Sequence, residues 1–392
     1  MRDTFLPFSS PLIGEEEISE VVDTLRSDWI TTGPKVKRFE EVFAAFIGVP
    51  AALTLNSCTA ALHVALATLS IGPGDAVITT PLTFCSSIHV IGHVGARPIL
   101  MDVEPDTLNI DPAKVEAVLK SALRNPKSAI KALLPVHLYG HPCNMDAIME
   151  IAREYNLRVI EDAAHALPAK YNGRPVGTIG DLTAFSFYAT KNITTGEGGM
   201  LTGKPELIEE ARLWSLHGMS RDAWKRYSNE GSWYYEVVRP GFKYNMTDIA
   251  AAIGIQQLKK LPMFQARRRE IVRRYNEAFS QFEELQIPTE RPEVEHAWHL
   301  YVIRLNLELL KISRNQFIEK LKARNIGTSV HFIPIHLHPY YRDKYGFKPD
   351  DFPVAYREYQ RIISLPLYPK MANQDVEDVI EAVIDVVQRF RH

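Results

Sequence analysis

Short apolar segments alternate with segments of helical periodicity from about residue 15 to about residue 260. Ala51–Leu55 and Ala129–Val136 have the length of buried strands, whereas Thr59–Ser70 and Met145–Tyr155 carry apolar residues at helical spacing. This alternation predicts an α/β fold with a mostly parallel sheet and helices on both faces. Further strands are expected at Ala76–Thr79, Pro98–Val103, Arg158–Ile160, Ala184–Phe187 and Gly199–Thr202, and further helices at Ser86–Val94 and Pro112–Leu123.

The pattern changes near Leu261 and Pro262, where a long, highly charged helical stretch follows. We therefore predict a large domain over residues 11–262 and a smaller C-terminal α+β domain over residues 263–392, with residues 1–10 packing on the latter. The elements expected in the smaller domain are an extended run at Trp298–Leu305, a helix at Arg314–Arg324, a Pro- and His-rich loop at His331–Pro339 and a final amphipathic helix at Gln374–Phe390.

Composition narrows the possible partners and the cellular compartment. The chain has 392 residues with 46% apolar and 23% charged residues, which is typical of globular proteins. Its net charge of −2 gives no reason to expect nucleic acid or a membrane surface as a partner. No signal peptide and no apolar stretch of about 18 residues is found, so no transmembrane helix is expected. We expect a cytoplasmic protein.

The cysteines, two loop histidines and an arginine-rich run could have chemical roles, but each has a simpler structural interpretation. Cys58, Cys85 and Cys143 form no CxxC pair and fit a reducing compartment, so we interpret them as small packed residues. His336 and His338 are interpreted as loop residues, and no metal site is expected. The arginine-rich run from Arg267 to Arg274 is interpreted as a solvated helix face.

Two polar motifs stand where predicted strands end, at the edge where open sheets of this kind bind ligands. The segment from Asn56 to Ala61 (NSCTAA) lies at a strand-to-helix junction, whose open N–H groups favour an anion. An ordinary helix N-cap is the alternative interpretation. Asp162 and His165 follow a buried strand. A carboxylate there can pair with a cationic ring nitrogen, although an acidic pair at a strand end is more often a helix cap or a metal or ribose contact.

A third motif places Lys191 after an apolar strand and before the Gly-rich turn GEGG. A desolvated lysine has a lowered pKa and becomes a usable amine nucleophile. Ser186, five residues earlier, can bind a phosphate; the alternative is a surface lysine. A phosphate cup, a carboxylate and a lysine are together what a pyridoxal 5'-phosphate (PLP) site requires. A Rossmann oxidoreductase is less favoured, because GxGxxG is missing after the first strand.

The chain resembles the DegT/DnrJ/StrS sugar aminotransferases, which belong to the fold-type I PLP enzymes typified by aspartate aminotransferase. The resemblance covers essentially the whole chain and implies a mostly parallel seven-stranded sheet sandwiched by helices. The motifs that carry it are DWITTGPKVKRFE, NSCTAALHVAL, TPLTFCSS, HLYGHPCNMDAI, VIEDAAHALPAKYNG, GDLTAFSFYATKNITTGEGGM, GFKYNMTDIAAAIGIQQL and SVHFIPIHLHPYY.

The resemblance implies roles for individual residues around the cofactor. Lys191 matches the lysine that holds PLP as an imine and later shuttles a proton. Asp162 matches the acid that keeps the pyridine nitrogen protonated, and His165 lies near the cofactor ring. Phe84 matches an aromatic residue that stacks on the ring face. The residues that match the phosphate cup are Cys58 (through its backbone), Thr59 and Ser186.

Other implied roles concern the partner subunit and the substrate. Asn245 matches a side chain that reaches the phosphate of the neighbouring subunit's cofactor, which implies a homodimer with two shared sites. The residues that fall where relatives meet the nucleotide sugar are Thr32, Tyr188, Lys243 and His331. For His331, a surface loop histidine is an equally open interpretation.

The implied reaction moves an amino group from glutamate, the expected donor, through pyridoxamine 5'-phosphate (PMP) to a nucleotide-linked keto sugar. FKYNMTD and FSFYATKN are most similar to enzymes that act on UDP-linked 4-keto sugars, in amino-sugar, lipopolysaccharide and other surface polysaccharide biosynthesis. The alternatives are a 3-keto sugar or cyclitol aminotransferase, a sugar dehydratase or a non-catalytic regulator. Lys191 favours transamination, because some dehydrating relatives carry His at that position.

Overall fold

The computed structural model describes residues 2–122, 129–219 and 234–392. Its helices are α1 (Glu15–Arg26), α2 (Pro34–Ile47), α3 (Cys58–Thr68), α4 (Ser86–His93), α5 (Pro112–Ala122), α6 (Met145–Glu154), α7 (Pro205–Ser215), α8 (Asp248–Phe279), α9 (Arg314–Lys322), α10 (Pro339–Tyr345), α11 (Pro353–Tyr359) and α12 (Asn373–Phe390). Its strands are β1 (Ala51–Leu55), β2 (Asp75–Thr79), β3 (Arg97–Leu100), β4 (Ala129–Leu133), β5 (Arg158–Asp162), β6 (Lys170–Tyr171), β7 (Arg174–Pro175), β8 (Leu182–Ser186), β9 (Gly199–Gly203), β10 (Leu285–Gln286), β11 (Val294–Glu295), β12 (Tyr301–Leu305) and β13 (Ile362–Leu365).

The largest sheet in the described part of the chain has seven strands in the order β1-β9-β8-β5-β4-β2-β3. The pairings from β3 through β2, β4 and β5 to β8 are parallel, and β9 is antiparallel to both β8 and β1. Four of the five residues in β2 and in β5 are buried, as expected for a sheet covered on both faces. The predicted mostly parallel, seven-stranded α/β fold is confirmed.

Helices cover both faces of this sheet because its strands are apolar on both sides. Ala184 and Phe185 are neighbours in β8 and point to opposite faces. Ala184 packs with Ala61 and Leu62 of α3, whereas Phe185 contacts Phe43 of α2 with ring centroids 5.2 Å apart. A strand that is buried on both faces loses the alternation of polar and apolar residues, which explains the continuous apolar runs in the sequence.

Some strand ends differ from the prediction. β4 ends at Leu133 instead of continuing to Val136, because the chain leaves the sheet there and Val136 forms an isolated bridge with Asp162. β5 continues to Asp162, two residues beyond the predicted end at Ile160. The carboxyl edge of the sheet therefore carries Asp162 at the end of β5 and Ser186 at the end of β8. The first residue of α3 follows β1 at the same edge.

The C-terminal region has its own antiparallel sheet, in the order β10-β12-β13, and its own apolar core. Leu6, near the N-terminus, lies in this core and forms a parallel bridge with Ile326. The predicted start of a helix after Pro262 is wrong, because α8 begins at Asp248 and continues through Pro262. The division into domains over residues 11–262 and 263–392 stays a prediction.

The interpretation of the run from Arg267 to Arg274 as a solvated face is wrong for Arg268. Its side chain is 2% exposed and donates hydrogen bonds to the carbonyl oxygens of Trp298, His299 and Leu367 at 3.2, 3.2 and 2.8 Å. Burial lowers the pKa of Arg268 to about 9. This guanidinium therefore ties α8 to the segments before β12 and after β13.

No helix in residues 2–122, 129–219 or 234–392 is long and apolar enough to cross a membrane.

Candidate active site

Lys191 lies in a turn just beyond β8, where its backbone N–H donates to the carbonyl oxygen of Tyr188 at 2.9 Å. Burial lowers the pKa of the lysine to about 8, and Cys58 and Asp162 act in the opposite direction. The Lys191 charge in turn lowers the pKa values of His165 and His331. Lys191 is half-buried, and its amine lies among ionisable groups of both motifs and is partly neutral near pH 8, which favours the nucleophile interpretation over an ordinary surface lysine.

The Asp162 carboxyl group is 3% exposed at the end of β5. Its Oδ1 accepts a hydrogen bond from the Ala164 N–H at 3.1 Å, and its Oδ2 accepts one from the Ser87 hydroxyl at 2.7 Å. Burial raises the pKa of Asp162, while these two bonds and the Lys191 charge oppose the rise. A buried carboxylate with two donors and one nearby ammonium can serve as the partner of a cationic ring nitrogen.

The hydrogen bonds of His165 determine its tautomer. Its Nδ1 accepts a hydrogen bond from the Tyr139 backbone N–H at 3.2 Å, so the proton of the neutral ring is on Nε2. The ring is neutral because burial lowers the pKa of His165 well below its usual value, and Lys191 and His331 lower it further. His165 therefore offers an N–H donor beside Lys191.

Gly199 brings the two halves of the predicted phosphate cup together. It pairs with Ser186 on one side and with Leu55 on the other, and a Cβ at this position would lie 2.5 Å from the Ser57 carbonyl oxygen and 2.6 Å from the Cys58 nitrogen. Only glycine permits this approach. The Ser186 hydroxyl therefore lies close to the first turn of α3.

The N-terminus of α3 has free donors for an anion. The Ser57 side chain caps the helix by accepting from the Ala60 N–H at 3.1 Å. The N–H groups of Cys58 and Thr59 have no intrahelical partner, because the first turn of a helix leaves its donors open. These donors, the helix dipole and the Ser186 hydroxyl form a cradle for a doubly charged phosphate. The N-cap interpretation is also correct, since Ser57 caps the helix while the next two N–H groups remain available.

The mouth of the site carries aromatic side chains. Phe84 is 58% exposed, and its ring centroid lies 6.0 Å from that of Phe332, which in turn stacks at 5.8 Å on His165. Tyr188 is 47% exposed. His331 is half-buried: its Nδ1 lies 2.8 Å from the Ser364 hydroxyl, and burial together with Lys191 lowers its pKa to about 4.

Two of the predicted residues, Thr32 and Asn245, form a separate group beside the start of α8. Asn245 donates from its side-chain amide to the Thr32 hydroxyl at 2.6 Å, and that hydroxyl donates to the Met246 carbonyl oxygen at 2.6 Å. Lys243 is exposed, and its backbone forms a bridge with Leu216. Within the described ranges, no hydrogen bond joins Thr32, Lys243 or Asn245 to Lys191 or Asp162.

The side chains at this sheet edge match what PLP requires. Lys191 supplies an amine for the aldehyde, Asp162 a carboxylate for the ring nitrogen, and Gly199 the close approach that forms the phosphate cradle. A metal ion is not needed for this chemistry. No group of three or more metal-ligating side chains is found in the part of the chain that the structure describes.

Comparison with known proteins agrees with this assignment. The profile of the DegT/DnrJ/EryC1/StrS aminotransferase family matches residues 11–384. This chain belongs to that family. It is 54% identical over 389 residues to the spore coat polysaccharide biosynthesis protein SpsC of Bacillus subtilis, with 99% of this chain and 98% of that protein covered. It is 56% identical over its full length to the uncharacterized protein MJ1066 of Methanocaldococcus jannaschii, which is also covered completely.

Solved structures support the same family and its cofactor. Spr1654 of Streptococcus pneumoniae, described as a sugar aminotransferase, superimposes in its PMP form with a TM-score of 0.90 at 37% identity, over 98% of this chain and 99% of that one. A PLP form of Spr1654 superimposes with a TM-score of 0.89. This protein is accordingly a PLP-dependent sugar aminotransferase, and PLP and PMP are its cofactor forms.

The sequence motifs missed several residues of this aminotransferase site. His299 is buried, its ring lies 4.5 Å from that of His165, and its Nδ1 lies 3.1 Å from the Asn192 side-chain oxygen. The Asn192 amide nitrogen donates to two carbonyl oxygens, so its oxygen accepts from His299 and leaves the His299 Nε2 unprotonated. Ser87 and Phe332 were also missed. No spacing in the sequence indicated either residue, because their contacts join segments that are far apart in the chain.

Proposed function

We propose that this aminotransferase transfers the amino group of glutamate to a nucleotide-linked keto sugar, most specifically a UDP-linked 4-keto sugar. The observation that carries the proposal is the Lys191 amine, with a pKa lowered to about 8, beside the buried Asp162 carboxylate at the carboxyl edge of the sheet. The family membership supports sugar transamination, and the motifs FKYNMTD and FSFYATKN support the finer substrate.

Each residue has a defined part in this proposal. When bound, PLP supplies an aldehyde that exchanges amino groups and a protonated ring that accepts the electron pair released from the substrate. Lys191 would hold the cofactor through its amine and, once freed, would carry a proton during the transfer. Asp162 would keep the proton on the ring nitrogen. His165 offers its Nε2–H to this site, and Phe84 would stack on the ring face.

Tyr188 and His331 are proposed to meet the nucleotide sugar on this side of the site. His331 is neutral at physiological pH, because burial and the Lys191 charge lower its pKa to about 4. A neutral histidine and a tyrosine can form hydrogen bonds with sugar hydroxyls. Neither side chain carries a positive charge that would attract the cofactor's phosphate. Thr32 and Lys243 are proposed to reach the substrate from the partner subunit.

The assembly in this proposal is a homodimer with two shared sites. The Asn245 amide would contact the phosphate held by the partner's α3 N-terminus and Ser186. This explains why Asn245 is oriented by Thr32 although no described hydrogen bond joins it to Lys191 in its own chain.

We further propose a cytoplasmic role in surface polysaccharide or lipopolysaccharide biosynthesis. The names of two similar proteins support this direction: SpsC acts in spore coat polysaccharide biosynthesis, and Helicobacter pylori PseC is an aminotransferase of pseudoaminic acid biosynthesis. The three cysteines are free, which is consistent with a reducing compartment.

The test uses the purified PLP-loaded enzyme in two steps. Incubation with glutamate alone should release one equivalent of 2-oxoglutarate per site. The enzyme, then in its PMP form, should aminate one member of a panel of UDP-, dTDP- and GDP-linked 3- and 4-keto sugars. Replacement of Lys191 by Ala should lower kcat by about 10³-fold or more and abolish the borohydride-reducible link to the cofactor.

Lys322→Ala, which changes an exposed lysine of α9, is the matched control and should behave as the wild type. A Lys191→Ala variant with native turnover would refute the site. Turnover without 2-oxoglutarate would refute glutamate transamination and favour a dehydratase.

A further inference from the structure

The Asp162 carboxylate has a side-chain hydrogen-bond partner to which the family resemblance assigns no role. Ser87, in the first turn of α4, is fully buried, and its Oγ lies 2.7 Å from the Asp162 Oδ2. The two residues are 75 positions apart in the chain. A serine hydroxyl that is buried against a carboxylate forms a charge-assisted hydrogen bond, which is stronger than a bond between neutral groups.

Thr83 extends this contact into a directed chain of hydroxyl groups. The Ser87 Oγ lies 2.9 Å from the Thr83 Oγ1 and 3.3 Å from the Phe84 carbonyl oxygen. Ser87 has one proton, and the short bond to the ionised carboxylate takes it. Thr83, which is 2% exposed, must then donate to Ser87. Both hydroxyl groups thus point their protons toward Asp162.

We propose that Ser87, supported by Thr83, is a positioning residue that keeps Asp162 ionised and so keeps the proton on the cofactor's ring nitrogen. The inference rests on the proposed function only in that Asp162 faces this nitrogen. A proton shared between a carboxylate and a pyridine nitrogen moves to the nitrogen when the carboxylate is stabilised by other donors. Without Ser87, the carboxyl group would compete better for that proton, and the ring would accept electrons less well.

The other groups around Asp162 cannot replace this donor. The Ala164 N–H already binds Oδ1, and Lys191 acts on the carboxylate through its charge. His137 donates its backbone N–H to the Asp162 carbonyl oxygen, while its ring lies 2.9 Å from Glu161. Cys58 is buried with a raised pKa, so its thiol stays neutral. Ser87 is therefore the described side chain that donates directly to the carboxylate.

The test measures the protonation of the ring nitrogen directly. Holoenzyme is prepared with PLP carrying ¹⁵N in the ring, and its nitrogen NMR signal is compared in the wild type, Ser87→Ala and Ser87→Thr. Ser87→Ala should move the signal toward that of an unprotonated ring and lower kcat by about 10- to 100-fold, with KM for glutamate nearly unchanged. Ser87→Thr keeps the hydroxyl and should restore both values.

Ser86→Ala is the control, because Ser86 is the partly exposed neighbour on the same turn. Thr83→Val keeps Ser87 but removes the donor behind it, so it should shift the signal in the same direction by a smaller amount. It also tests the inference if Ser87→Ala does not fold. A protonated ring and native kcat in both Ser87→Ala and Thr83→Val would overturn the inference. If the wild type releases no 2-oxoglutarate from glutamate, the proposed function fails, while the nitrogen signal still decides the role of Ser87.

Discussion

The two groups of predicted site residues are built differently. Lys191, Asp162 and His165 lie at one sheet edge in a single chain, and burial shifts the pKa of each. Thr32 and Asn245 lie beside the start of α8 and are bonded to each other. The first group has the perturbed ionisation that chemistry requires, whereas the second has only oriented hydrogen-bonding groups. We infer that the first group performs the reaction and the second serves the neighbouring subunit.

Mixed dimers test most directly whether Asn245 serves the site of the neighbouring subunit. Lys191→Ala lacks the amine, and Asn245→Asp places a negative charge where the phosphate of the partner's cofactor is proposed to lie, so each homodimer should lose most of its activity. A mixed dimer, purified through a different tag on each chain, combines both changes at one site and leaves the other native. Its activity should return to about half that of the wild type, a rise of about 100-fold or more over either homodimer.

A mixed dimer without activity would contradict a site shared between subunits. If Lys191 and Asn245 served the same chain's site, both sites of the mixed dimer would stay defective and no activity would return. A mixed dimer of Lys322→Ala with Asn245→Asp gives the reference, because it contains one native Asn245 and both lysines at position 191.

The pH dependence of PLP capture tests whether the pKa of Lys191, in the first group, is lowered. The unprotonated Lys191 amine is the reactive form, and its fraction rises as the pH increases through about 8. Capture of PLP by the cofactor-free enzyme should therefore be about a tenth of its plateau rate at pH 7 and reach the plateau above about pH 9. A rate that keeps rising to pH 10.5 would indicate an ordinary exposed lysine.

Two variants, one in each group of site residues, are compared in the same experiment. Asp162→Asn removes a carboxylate that raises the pKa of Lys191, so the midpoint should move below pH 8. Asn245→Ala should leave the midpoint in place, because it introduces no charge and no described hydrogen bond joins Asn245 to Lys191. Absorbance of the bound cofactor in stopped-flow mixing measures both rates.

The sequence predicted the parts of the site that depend on strand ends. Asp162, Ser186 and Lys191 follow apolar runs, and parallel strands bring their carboxyl ends to one edge of the sheet. It did not predict contacts that depend on packing between distant segments. Ser87 and Asp162 are 75 residues apart, and Asn192 and His299 are 107 apart. The prediction that Arg268 is solvated is wrong, because a charged run in the sequence does not show which side of the helix packs against the rest of the protein.

A substitution at Thr32 tests whether its hydrogen bonds hold the Asn245 side chain in place before any cofactor binds. Thr32→Val removes the hydroxyl that accepts from Asn245 and donates to Met246. Loss of these bonds at a partly buried position should lower the free energy of unfolding by about 1 kcal/mol. Thr31→Val is the control, because the Thr31 side chain is exposed and only its carbonyl oxygen accepts a bond, from Asp248.

Urea unfolding at one fixed protein concentration measures the difference, since dimer stability depends on concentration. If Thr32 orients Asn245 for the partner's phosphate, Thr32→Val should also weaken PLP retention severalfold while the pH midpoint of capture stays near 8. Equal stability and equal PLP retention in Thr32→Val and Thr31→Val would mean that the bond between Thr32 and Asn245 does not prepare the second group for its role. The two groups would then differ only in burial, and the case for a shared site would rest on the mixed dimers alone.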